Sequence, residues 1–202
     1  IVPIGEWVLH TALCQLRVWL DGGLPMMTVA VNLSAVQFGQ PGLTDMGSQM
    51  LRQTGVPAEG LEWELTEAVA MKNPEIAARV MQELSQLGVR LSIDDFGTGY
   101  SSLTHVRRFP LSGIKIDRAF VAGAAEHPED RAVIAAMVGM AAALGLDVVG
   151  EGVEKTEQYE MLASLGCDMA QGFLIARPMP ADELHLWLSS AHDTGDSARA
   201  HR

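Results

Sequence analysis

Six short runs rich in β-branched and large apolar residues recur along the chain: TVAVNLSA (28–35), LEWELTE (61–67), VRLSIDDFG (89–97), GIKIDRAF (113–120), DVVGEGVE (147–154) and AQGFLIAR (170–177). Helical patterns separate most of them, and this alternation constrains the fold more than any other feature. Strands joined through helices run parallel, and a parallel sheet must be covered by helices. The helices are punctuated at both ends. In NPEIAARVMQELSQLG, Asn73 is the expected cap, Pro74 the first helical residue and Gly88 the stop. HPEDRAVIAAMVGMAAALG repeats the design with Pro128 and Gly145, and KTEQYEMLASLG predicts a helix from a Thr156 cap to Gly166. The opening segment, IVPIGEWVLHTALCQLRVWL, has the pattern of an amphipathic helix.

Such a sheet is either open and doubly wound or closed into a barrel. No GxGxxG phosphate loop follows the first run, which continues as VNLSAVQFG. Polar residues decide between the two. Asn32, Glu64, Glu67, Asp94, Asp95, Lys115, Asp117, Glu151, Glu154 and Gln171 all fall at or near the C-terminal ends of their strands. In a barrel those ends converge on one mouth, where such folds carry their sites. The expected fold is α/β, a (β/α)8 TIM-type barrel of which this chain supplies about six strands. The two others are expected upstream, since the chain begins without Met in the lead-in to a helix. We expect one domain over residues 1–189 and a disordered tail over 190–202, which lacks large apolar residues.

A formal charge of −11 and a pI near 4.9 leave no basic stripe for duplex DNA or for an anionic membrane surface. The two cysteines, Cys14 and Cys167, have no metal-ligand spacing and suit a reducing compartment, so the expected location is the cytoplasm. No apolar run approaches the roughly 20 residues that span a bilayer.

The stretch LSIDDFGTGYSSL sets Asp94 beside Asp95 at a strand end. Adjacent carboxylates repel, and desolvating them is costly unless a cation compensates. With Glu64, Glu151 and the neutral amide oxygen of Asn32, they form an all-oxygen set that suits Mg²⁺ or Mn²⁺; the lack of His or Cys at these positions disfavours zinc. An aspartate pair can bridge or flank two ions, an arrangement used in phosphoester cleavage. Lys115 offers a point charge for a metal-bound water or a developing phosphorane oxygen, or else an ion pair with an aspartate. Glu67 and Glu154 read equally well as ligands, loop anchors or caps. Gly97 and Gly99 give the following loop backbone freedom.

Taken in order, VNLSAVQF, ELTE, DDFGTGYSSL, KIDRAF, GEGVE and QGFLIARP resemble the EAL-domain phosphodiesterases that hydrolyse bacterial cyclic di-GMP, and the match runs from about Ile1 to Leu188. The resemblance implies opening of the cyclic dinucleotide to linear 5′-pGpG with two Mg²⁺ or Mn²⁺ ions. It assigns Asn32, Glu64, Asp94, Asp95 and Glu151 to the metals. Lys115, Glu151 and Asp95 become the catalytic groups, and Glu154 and Gln171 further site residues. Glu67 matches the glutamate that steadies the DDFGTG loop, which links the site to a dimer interface in this family. Gly150 stands where the family usually has alanine. The Glu-Ala-Leu signature and a nearby substrate-binding arginine are absent from this chain. We therefore expect a truncated domain with open sheet edges and exposed core residues, from a parent often preceded by a GGDEF or sensory domain. Two alternatives stand beside the phosphodiesterase. One is a non-catalytic cyclic di-GMP receptor; the other is a barrel enzyme acting on a different substrate such as a sugar phosphate.

Overall fold

The structure, a computed structural model, describes residues 1–99, 103–124 and 126–193. Strands β1 (Val29–Asn32), β2 (Leu61–Thr66), β3 (Arg90–Phe96), β4 (Gly113–Ile116), β5 (Asp147–Glu151) and β6 (Met169–Gln171) hydrogen-bond in sequence order. The pairs β1–β2, β4–β5 and β5–β6 are parallel in register, as the strand–helix alternation requires. The class is α/β, and the strand order is that of a TIM-type barrel, of which the chain supplies six strands. The chain has two compact units, Ile1–Ile93 with Gly99–Leu111 and Asp94–Thr98 with Ser112–Arg202. Strand β3 gives Arg90–Ile93 to the first and Asp94–Phe96 to the second.

In the first unit, α1 (Val2–Asp21) buries Leu9, Leu13, Leu16 and Trp19, and packs on β1, α2 (Ala35–Phe38) and α3 (Leu43–Thr54). Its opposite face leaves Ile4 and Trp7 exposed. Leu61, Trp63 and Leu65 of β2 are fully buried. A Cβ on Gly47 of α3 would lie 2.4 Å from the Trp63 ring, so that glycine lets helix and strand approach. After α4 (Glu67–Lys72), α5 (Pro74–Ser85) starts where the Asn73 side chain accepts the Ile76 N–H at 3.4 Å. It ends at Ser85, and the left-handed Gly88 (φ +86°) lies beyond a further turn. The short α6 (Leu103–Val106) closes the unit.

In the second unit, β4 stops earlier than the run GIKIDRAF suggests. Asp117 turns out of the strand to cap α7 (Arg118–Gly123), accepting the Ala119 N–H at 2.8 Å. The long α8 (Pro128–Leu144) packs on α7, β4 and β5 and ends at left-handed Gly145. Helix α9 (Thr156–Leu165) is capped by Lys155, not by Thr156. The reason is Gln158, whose side-chain oxygen accepts the N–H groups of Glu154 and Lys155 at 2.8 and 2.9 Å and draws Thr156 into the first turn. Strand β6 ends at Gln171, short of the expected run to 177, and Phe173, Leu174 and Ile175 are exposed. Helix α10 (Ala181–Asp193) continues past the Ser190 boundary expected for the tail; residues 194–202 lie outside the described ones. Among the described residues no helix is long and apolar enough to cross a membrane.

Candidate metal and active site

The ends of β3, β4 and β5 bring acidic groups together within the second unit. Asp94, Asp95 and Glu151 each offer one carboxylate oxygen, and the three oxygens lie within 4.8 Å of one another. Lys115, 5 % exposed, places Nζ 2.6 Å from Glu151 Oε1 and 3.8 Å from Asp94 Oδ1. The ion pair foreseen for Lys115 therefore forms chiefly with a glutamate. Lys115 thus pairs with two of the three carboxylates, while like charges still crowd Asp95. Half-buried hard oxygens in this number are the donor chemistry of Mg²⁺ or Mn²⁺, and the residues present fit such an ion.

Asp95 registers the crowding. Burial first, then the like charges of Asp94 and Asp117, push its carboxyl above the usual range, while Lys115 pulls the other way. The carboxylate of Asp117 is close enough for its negative charge to act on Asp95. Asp117 is thus a neighbour of the cluster, although the sequence marks it only as a residue at a strand end. Its position directly after the end of β4, two residues beyond Lys115, was the available signal.

Elsewhere in this unit, Gln171 stands opposite Glu151 in the β5–β6 register but is exposed, as is Glu154. Gly150, just before Glu151, has its own reason. A Cβ there would meet Leu162 Cδ1 of α9 at 2.5 Å, so the leucine occupies the space that an alanine methyl would need.

The first unit holds the remaining expected residues. Asn32 and Glu64 are register partners on β1 and β2; Asn32 is exposed and Glu64 buried. Glu67 opens α4 at 1 % exposure, and its Oε2 accepts the Gly99 N–H at 3.4 Å. A Cβ on Gly99 would sit 2.7 Å from Glu67 Oε1, so carboxylate and loop backbone are in close contact. The loop residues Tyr100 to Ser102 lie outside the described ones.

A family model described as EAL domain matches residues 1–178. The chain is 47 % identical over 184 residues to the bifunctional diguanylate cyclase/cyclic di-GMP phosphodiesterase MucR of Pseudomonas aeruginosa, covering 91 % of this chain and 27 % of that protein. It thus spans about a quarter of the length of that relative. Among solved structures it is similar to the MucR phosphodiesterase in complex with c-di-GMP, with TM-score 0.88 and 47 % identity over 91 % of this chain and 74 % of that one. It is also similar to Klebsiella pneumoniae BlrP1 in a manganese/cyclic di-GMP complex, with TM-score 0.79 and 29 % identity over 87 % of this chain and 44 % of that one.

Proposed function

Since the chain belongs to the EAL domain family, we propose that it is the main part of a metal-dependent phosphodiesterase that opens cyclic di-GMP to linear 5′-pGpG. The observation that carries this reading is the convergence of Asp94, Asp95 and Glu151 on one point beside Lys115. Asp94, Asp95 and Glu151 would hold the divalent ions, two by the family resemblance, which also assigns Asn32 and Glu64 to the ligand set. When bound, the ions supply a Lewis acid for the phosphodiester oxygens and lower the pKa of the hydrolytic water.

The remaining chemistry falls to the chain. Water adds across one phosphodiester: the P–O3′ bond breaks, oxygen joins phosphorus, and a proton goes to the 3′ oxygen. Lys115, held by Glu151 at 2.6 Å, is a fixed positive charge beside the centre where negative charge develops. Glu151 is the group placed to hold the proton that the water gives up, with Lys115 fixing its orientation. Glu154 and Gln171 serve the substrate, and Glu67 steadies the loop at Gly99.

In the parent protein the domain works in the bacterial cytoplasm as a homodimer, with a GGDEF or sensory domain upstream. The named activities of MucR and the manganese/cyclic di-GMP complex of BlrP1 support the substrate and the metal. The test is to incubate the chain with cyclic di-GMP and to follow pGpG by chromatography with Mn²⁺, with Mg²⁺ and with EDTA. Product with either ion and none in EDTA is expected. A polyanionic substrate should also bind the acidic site more weakly after chelation. Binding that persists in EDTA, with no cleavage under any condition, would replace this reading by a non-catalytic receptor.

A further inference from the structure

Asp94 and Asp95 are consecutive residues of β3, and consecutive side chains of a strand point to opposite faces. Yet both carboxylates reach the same cluster with Glu151. The backbone shows how. Asp95 sits at φ +54°, the one described residue other than glycine with a positive φ. A left-handed residue within a strand acts as a bulge and re-aims the side chains around it. Asp94 and Asp95 are both half-buried between buried Ile93 and buried Phe96, so the two consecutive acids share one setting.

Left-handed backbone costs aspartate less than most residues with a Cβ but still favours contacts that hold it. Two groups of Thr98 close on a single atom. Its N–H donates to the Asp95 carbonyl oxygen at 3.3 Å, and its hydroxyl donates to the same oxygen at 2.8 Å. On the other side, the Asp95 N–H donates to Asp94 Oδ1 at 3.0 Å. Between them Phe96 is buried, and Gly97, at φ +96°, has no room for a side chain against Met137 and Phe120. The turn is therefore seated in the unit, and Thr98 is its clasp.

We propose that Thr98 is a positioning residue for the metal site: its hydroxyl holds the Asp95 peptide in the left-handed conformation that turns a second carboxylate of β3 into the cluster. The inference rests on the metal-site reading of Asp94, Asp95 and Glu151. Thr98 itself touches neither metal nor substrate. Thr98→Val keeps the shape and loses the donor, while Thr98→Ser keeps the donor.

The experiment measures Mn²⁺ affinity of the 202-residue chain by electron paramagnetic resonance of the free ion, with unfolding temperature alongside. Loss of one hydroxyl–carbonyl hydrogen bond predicts about threefold to tenfold weaker Mn²⁺ binding in Thr98→Val. Thr98→Ser is expected within about twofold of wild type on the same argument. In the Asp95→Asn background the valine should add nothing, because its effect runs through the Asp95 carboxylate. Wild-type affinity in Thr98→Val, or an equal loss with and without the Asp95 carboxylate, overturns the positioning role and leaves the metal site standing. If the wild-type chain takes up no Mn²⁺, the metal-site reading falls and this inference with it.

Discussion

Glu67 and Asp95 are both acids at the ends of neighbouring strands in sequence, and the molecule uses them in opposite ways. Glu67, in the first unit, is 1 % exposed and faces backbone: it accepts the Gly99 N–H, and Gly99 has no side chain to keep the two apart. Asp95, in the second unit, is half-buried and faces other acids, with Asp94, Asp117 and Glu151 as its company. A carboxylate that meets N–H groups has what a structural anchor needs. One that meets other carboxylates, with a single lysine shared among them, is still crowded by like charge. Burial is therefore the poorer guide to function here: the more deeply buried acid holds a loop, and the less buried one is shaped for an added cation.

The comparison can be broken at its strongest point first. Asp94→Ala removes a donor from the three-carboxylate set and is expected to lower cyclic di-GMP hydrolysis by about 10³-fold or more, with Mn²⁺ binding lost in parallel. Activity within tenfold of wild type would make the cluster a surface feature. A smaller effect of a different kind is expected from Glu67→Gln. It leaves Mn²⁺ affinity within about twofold but destabilises the chain by about 1–3 kcal/mol in urea unfolding, since a charge-assisted bond to Gly99 is weakened in a buried place. A loss of Mn²⁺ affinity equal to that of Asp94→Ala would erase the distinction between anchor and ligand.

The smallest effect has the most telling sign. The Asp95 carboxyl is held above its usual range, so the fold favours its protonated form. Its contribution to stability is full below the ordinary carboxylate pKa of about 3.9 and is lost as pH rises through the raised value. Asn stays neutral at every pH and tolerates positive φ. In EDTA, Asp95→Asn is therefore expected to raise the unfolding temperature at pH 7, with the gain vanishing toward pH 3. With Mn²⁺ present the order reverses, because wild type alone gains the ion's full binding free energy. Calorimetry with and without chelator reads both signs; a destabilised Asp95→Asn in EDTA would contradict the crowding.

Much of this was legible before any coordinates, and for a definite reason. Proline at the start and glycine at the end bound α8, and an asparagine cap with proline marks the start of α5; these signals are local, so they survive without tertiary knowledge. The exact ends of β4 and α9 were harder, because side chains competing for backbone N–H groups decided them. Asp117 ended β4 by capping α7, and Gln158 moved the cap of α9 to Lys155. Both are side-chain choices among competing backbone donors, which propensity does not resolve. At the site, residue types announced an acidic cluster, and the structure draws Asp94, Asp95 and Glu151 together around Lys115. The left-handed turn at Asp95 was hard to foresee, since aspartate visits positive φ more readily than most residues but is a far weaker signal of it than glycine. For the same reason nothing pointed to Thr98.

Gly150 carries a lesson for anyone moving parts between relatives. The missing methyl beside Glu151 is matched by Leu162 filling its place, 2.5 Å from where that methyl would stand. The two positions form one unit of exchange: an alanine grafted at 150 alone overpacks the strand against α9, and a smaller residue grafted at 162 alone leaves a void. Only the joint replacement is expected to be mild, which makes this pair a junction that chimeric domains should keep on one side of the splice.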